Sequence, residues 1–189
     1  KIAETLQASS PKLQLEFRHS SSGFIERGIL AGEIDVGFYE GPVESPKLMS
    51  ARFQRNRVLV VASPKFHDAL QSSRWKDLES LPWLFKTPEC SYYQLMLQIE
   101  KAHALQLNKR FIIDEDATCL RFVRNGIALS IMGEAMVKEA LEDGSVVTWR
   151  GFEQLLDHSV ICLGQRFHER GVQAFFRACK KVLSLPDPR

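Results

Sequence analysis

Residues 13–38 read LQLEFRHSSSGFIERGILAGEIDVGF. In the first seven, Leu13, Leu15 and Phe17 alternate with polar residues, the period of a half-buried strand. Ser20, Ser21 and Ser22 follow, each able to cap a helix, and Phe24, Ile25, Ile29 and Leu30 recur at helical spacing until Gly32 supplies a stop. Ile34, Val36 and Phe38 then alternate again. Strand, short helix and strand predict a right-handed crossover unit with its two strands parallel.

The same alternation continues outward. Residues 58–62 (VLVVA) form an unbroken apolar run ended by Ser63-Pro64, as expected for a central strand covered on both faces. Residues 83–85 (WLF) predict a short strand, 92–107 a helix with Tyr92, Met96 and Ile99 on one face, and 111–113 (FII) another strand. Asp114, Glu115 and Asp116 open the next helix, where the positive end of the helix dipole favours acids. Gly126 ends that helix. A strand over 127–131, a helix over 133–142 stopped by Gly144, and strands over 146–149 and 158–163 follow. The last helix, with Val172, Phe175, Phe176, Cys179, Val182 and Leu183, carries the clearest amphipathic stripe. The chain therefore reads as α/β with largely parallel strands, without internal repeats or a long linker, residues 41–46 being the nearest to one.

With 189 residues, 44% of them hydrophobic, the chain can bury a core in one or two units. Its 25 Lys and Arg against 23 Asp and Glu leave a net charge of +2, too weak a field to draw this chain alone onto nucleic acid. Cys90, Cys119, Cys162 and Cys179 form no CxxC or Cys/His pair, so they read as reduced, mostly packed thiols of a cytoplasmic protein. No apolar run reaches the ~20 residues of a membrane span, and no leader opens the chain, which starts at Lys1.

Motifs for chemistry are missing. His19, His67, His103, His158 and His168 show no metal spacing, so no metal site and no cofactor are expected. There is no Gly-x-Ser-x-Gly elbow, no signature beside a cysteine and no Gly-rich phosphate loop. What an α/β sheet does offer is the end of its strands, where loops enter helix N-termini and free N–H groups face outward. Three such loops are readable: 20–23, 86–93 and 132–134. The serines can serve as helix caps, a common role, or as donors to a ligand's carboxylate or carbonyl, and neighbouring serines can divide those roles. The loop KTPECSY (86–92) is longer than a connection needs and mixes polar with aromatic groups. Arg52, Arg55 and Arg57 read as a solvated face or a contact with a partner subunit.

Four segments, in order, resemble the effector-binding domain of LysR-type transcriptional regulators. They are SGFIERGILAGEIDVGF (22–38), VLVVASPKFHDAL (58–70), DLESLPW (77–83) and VRNGIALSIMGEAMV (123–137). Each is weak alone, and together they span nearly the whole chain. The resemblance implies two Rossmann-like subdomains joined by two crossover strands, similar to type II periplasmic binding proteins, with an effector held in the cleft. It divides the chain into residues 1–62 with 159–189, and 63–158. It also implies a central strand ahead of Lys1 that this sequence lacks, as it lacks a helix-turn-helix.

The family's ligand contacts come from strand-to-helix loops. These correspond here to Ser21 and Ser22, to Thr87, Pro88, Ser91 and Tyr92, and to Met132 and Gly133, with Phe38 and Tyr39 bordering the cleft. Phe38, Tyr39, Tyr92 and Met132 would suit an amphipathic or aromatic molecule, and such residues also serve plain packing. Ala128 and Gly133 replace a common Gly and Pro, and Tyr39-Glu40 stands where Arg is frequent, which removes one partner for an acidic ligand. The implied protein is a sensor without catalysis: a homodimer, tetrameric at full length, that reaches DNA only through a domain outside this chain and has no membrane partner. Ile2, Leu6 and Phe24 are candidate apolar contacts of the dimer. A periplasmic solute-binding protein and an enzyme on the same fold are the alternatives.

Overall fold

The computed structural model describes residues 1–72 and 74–186. Two compact units form, Lys1–Arg55 with Leu156–Arg189, and Asn56–Leu155. The implied boundaries, 1–62 with 159–189 and 63–158, had placed both crossings a few residues further along; of the first span, 187–189 lie outside the described residues. The strands β2 (Leu48–Ala62) and β6 (Val147–Leu163) carry the chain from one unit to the other.

In the first unit, β1 (Val36–Glu40) pairs antiparallel with the end of β6, Phe38 opposite Val160 and Glu40 opposite His158. Period-2 alternation then gives each face its own core. Val36, Val160 and Cys162 meet the helices α1 (Ile2–Ser9) and α7 (Arg170–Leu183), whose Leu6, Val172, Phe176 and Cys179 complete one cluster. On the other face Ile161 and Leu163 meet Ile29 of α2 (Ser22–Leu30), with Ile25 and Tyr39 beside them. Gly37 is what lets α2 approach: a Cβ there would lie 2.3 Å from Cγ2 of Ile25. Gly37→Ala is expected to cost about 1–3 kcal/mol through overpacking, read as a lowered midpoint in urea with an unchanged slope.

The second unit is built on β5 (Ser130–Gly133), antiparallel to β2 from Val58 to Val61, and on the parallel pair β3 (Trp83–Phe85) and β4 (Lys109–Ile112). Helices α3 (Trp75–Leu78), α4 (Ser91–His103), α5 (Asp116–Arg124) and α6 (Glu134–Glu142) cover these strands. Leu59, Val61, Leu84, Cys119, Val123, Met132 and Val137 form the core. Glu115 caps α5, accepting from the N–H groups of Ala117 at 2.9 Å and Thr118 at 2.6 Å; the helix dipole read from the sequence does not by itself account for the trio, because Asp114 and Asp116 take other partners.

Three expectations are corrected. Residues 13–19 are not a strand. Leu13 and Leu15 do pack on the first unit's core, while Phe17 is exposed; an alternating pattern records one buried side but does not supply a hydrogen-bonding neighbour. The crossover unit with parallel strands is therefore not formed, and the pairings β1–β6 and β2–β5 are both antiparallel. Leu6 is fully buried because α1 lies along α7, so it cannot be an exposed dimer contact; Ile2 packs beside it but is only partly buried, and Phe24 is 45% exposed.

Candidate functional site

The first group of candidate residues sits where β1 ends and α2 begins. Ser21 is the N-cap of α2 in extended conformation (φ −66°, ψ 155°), and its side chain makes no capping hydrogen bond. Ser22 uses its Oγ differently, accepting from the backbone N–H of Glu40 at 3.0 Å and so tying the helix start to the strand end. A hydroxyl that accepts keeps its own hydrogen to donate. Neither serine oxygen accepts from the first-turn N–H groups, and the first turn of α2 holds no acid. Its unsatisfied N–H groups and the helix dipole favour an incoming oxygen or anion.

Beside them, Glu40 Oε1 meets His158 Nε2 at 2.7 Å. Tyr39 donates to Glu26 Oε2 at 3.4 Å; burial and the Glu26 charge push its hydroxyl up to about 12, which keeps it neutral at ordinary pH. Phe38 points to the opposite face of β1, where its ring lies 5.8 Å from Phe53 and 5.9 Å from Phe175 while 42% exposed. The structure therefore brings Ser21, Ser22 and Tyr39 to one side of the strand and leaves Phe38 on the other.

In the second unit, the loop after β3 is anchored by Lys86, which is only 4% exposed. Its ammonium donates to the carbonyl of Asp114 at 2.9 Å and to the Asp116 carboxylate. Burial pulls its pKa down, and the Asp116 hydrogen bond and charge outweigh that and raise it. Thr87 donates to Asp114 Oδ1 at 3.0 Å, and Cys90 N–H closes the turn on the Thr87 carbonyl at 2.9 Å. Thr87 has thus spent its hydrogen and can offer a ligand only a lone pair.

Pro88 is exposed and its carbonyl accepts from Gln94 Nε2 at 2.8 Å. Ser91 opens α4. Tyr92 is buried with its hydroxyl against Gly133, where a Cβ would lie 2.9 Å from that oxygen. Met132 belongs to the core. The acidic trio thus divides three ways: Asp114 holds Thr87, Asp116 holds Lys86 and Glu115 caps the helix. Lys86 belongs to the candidate loop 86–92, but its pairing with Asp116, 30 residues on, was not read from the sequence.

Among the described residues, no three His, Cys, Asp or Glu side chains gather as a metal site, and all four cysteines are free, three of them buried. No helix of the described residues is long and apolar enough to cross a membrane. Arg52 and Arg55 pair with Asp157 at 3.2 and 2.8 Å, and Arg57 pairs with Glu134 and Glu153 at 2.8 Å each, all partly solvated.

The family model of the LysR substrate binding domain matches residues 1–184. The chain belongs to the LysR substrate-binding domain family. Its fold is similar to that of the Synechocystis PCC6803 CcmR regulatory domain in complex with 2-PG, with a TM-score of 0.80 at 13% identity over 96% of this chain and 89% of that one. The effector-binding domain of QuiR in complex with shikimate gives 0.77, at 13% identity over 97% and 88%.

A curated relative of this LysR domain is the uncharacterized HTH-type transcriptional regulator YeiE of Escherichia coli (strain K12), 20% identical over 136 residues, 72% of this chain and 46% of the relative. The chain thus spans about half the length of that relative. As a LysR-family domain it carries the type II periplasmic-binding-protein-like fold that its sequence resembled, with mixed sheets in place of largely parallel ones.

Proposed function

We propose that this LysR-family domain senses a small polar metabolite and carries out no catalysis on it. In the first unit a carboxylate or carbonyl of the effector meets the Ser21 and Ser22 hydroxyls and the N–H groups of the first turn of α2. In the second, residues 87–91 and the start of α4 offer a further set of polar contacts. The observation that carries this reading is that neither serine oxygen caps the start of α2, so the N–H groups of its first turn stay open to an incoming acceptor beside two hydroxyls that can donate.

Glu40 and His158, joined to each other and through the Glu40 N–H to Ser22, fix that hydroxyl in place. The signal leaves along β2 and β6, the strands both units share. In the whole protein, a cytoplasmic homodimer in this reading, it reaches a helix-turn-helix domain outside this chain, as the curated relative's description suggests. Phe24 is the exposed apolar residue offered to the dimer partner.

Calorimetry with the cognate metabolite tests the site. Ser22→Ala and Thr87→Val are each expected to weaken binding by about 0.5–1.5 kcal/mol, one neutral hydrogen bond, with the far-ultraviolet spectrum unchanged. Equal affinity in both variants would remove these loops from the site.

A further inference from the structure

The first unit holds a cavity of about 270 Å³ beside α7, lined by none of the α2 serines. Its apolar wall is built. Phe176 of α7 packs edge-on against Phe167 with ring centroids 5.3 Å apart. Ser184, in the left-handed region at φ +54°, reverses the chain after the helix so that Leu185 is buried and Pro186 closes the wall.

The rim is cationic. Gln173, Arg177 and Lys180 complete the lining, one helical turn apart on the same flank of α7. Arg170, Arg177, Lys180 and Lys181 give the helix four cations and no acid. Lys180 and Lys181 stand in its last turn, where the helix dipole accounts for them. Arg177 does not, and among the described residues no carboxylate pairs with it. A guanidinium without a carboxylate, beside two aromatic rings and an amide, matches a ligand with a flat apolar body and one carboxylate.

We propose that this cavity is a second binding site of the domain, for a small arylalkanoate monoanion. The ring lies against Phe167, Phe176 and Leu185, and the carboxylate meets Arg177, with Lys180 and Gln173 beside it. The volume limits the guest to about one ring and a short acid arm, being just below the usual range of ligand pockets.

Phenylacetate is the probe, and 2-phenylethanol its neutral counterpart, titrated into the 189-residue chain and followed by amide chemical shifts. Phenylacetate is expected to move the amides of Gln173, Phe176 and Arg177 saturably. The alcohol, and phenylacetate with the Arg177→Gln variant, are expected to bind about tenfold more weakly, the loss of one charge-assisted contact. Arg177 is exposed, so the variant keeps its fold, and Arg177→Lys should recover part of the affinity. No shift at these amides at millimolar probe, equal affinity in Arg177→Gln, or shifts confined to Ser22 and Glu40 would each overturn the proposal; the last would place the probe at the effector loops instead.

Discussion

Trp149→Ala is expected to lower the unfolding free energy by about 3–5 kcal/mol, the cost of emptying a large aromatic site that cannot collapse. Trp149 is 1% exposed on β6, with its ring centroid 4.8 Å from Trp75 of α3 in an edge-on contact. Trp75 in turn lies 5.9 Å from Trp83 of β3 and 5.3 Å from Phe152. The polar handles are satisfied, since Trp149 Nε1 donates to the Ser72 carbonyl and Trp83 Nε1 to the Leu78 carbonyl at 2.9 Å. Gly151 closes the remaining side, because a Cβ there would come within 2.2 Å of the Trp149 ring. The neighbours are thus held from several elements and cannot fill the space. The chain's 3 tryptophans are all in this cluster, so their fluorescence reports the second unit. Urea unfolding followed by that emission measures the loss directly, and a change below about 1 kcal/mol would show that the cluster relaxes more freely than this packing allows.

Lys86→Met is expected to cost about 1–3 kcal/mol and also to loosen the loop that carries Thr87, Pro88 and Ser91. The substitution keeps the length of the stem but strips the Asp114 carbonyl and the Asp116 carboxylate of their donor. Breaking a fully buried pair costs more than this. Asp116, however, is 38% exposed and can rehydrate, which sets the lower range. Because folding raises the Lys86 pKa above its ordinary value of 10.5, the ammonium's contribution is complete below that value and is lost as pH rises through the folded one. Chemical unfolding of both proteins as a function of pH should therefore give a difference that is constant through the neutral range and shrinks only in alkali. A difference that vanished near neutrality would contradict the pairing.

Much of the fold is written locally. The helices α2, α5 and α6 end where Gly32, Gly126 and Gly144 stand, each with positive φ, and Glu115 opens α5 as a cap. The continuous run 58–62 is buried throughout, as an apolar strand should be. The full lengths of β2 and β6 were not legible, because residues 52–57 and 150–155 expose most of their side chains and leave no apolar run. A hydrogen-bonded ladder does not need buried side chains to continue. Conversely, the alternation over 13–19 promised a strand that finds no partner.

The candidate site divides in the same way. The serines were legible because three of them precede a helix, whereas the Lys86 pair joins residues 30 apart in sequence and no local period encodes it. That Phe38 and Tyr39 cannot share one side of a strand follows from the period of two and was readable from their adjacency. The Ile2–Leu6 spacing likewise marks one helix face, which packs along α7.

The central claim is that the serines at the start of α2 hold an effector. Amide chemical shifts of Ser22, Gly23 and Glu40, recorded while the cognate metabolite is titrated into the wild-type chain and into Ser22→Ala, test it most directly. Saturable shifts are expected at these three amides in the wild type, with a weaker, right-shifted titration in the variant. A metabolite that binds both proteins equally well and leaves those amides unmoved would contradict it.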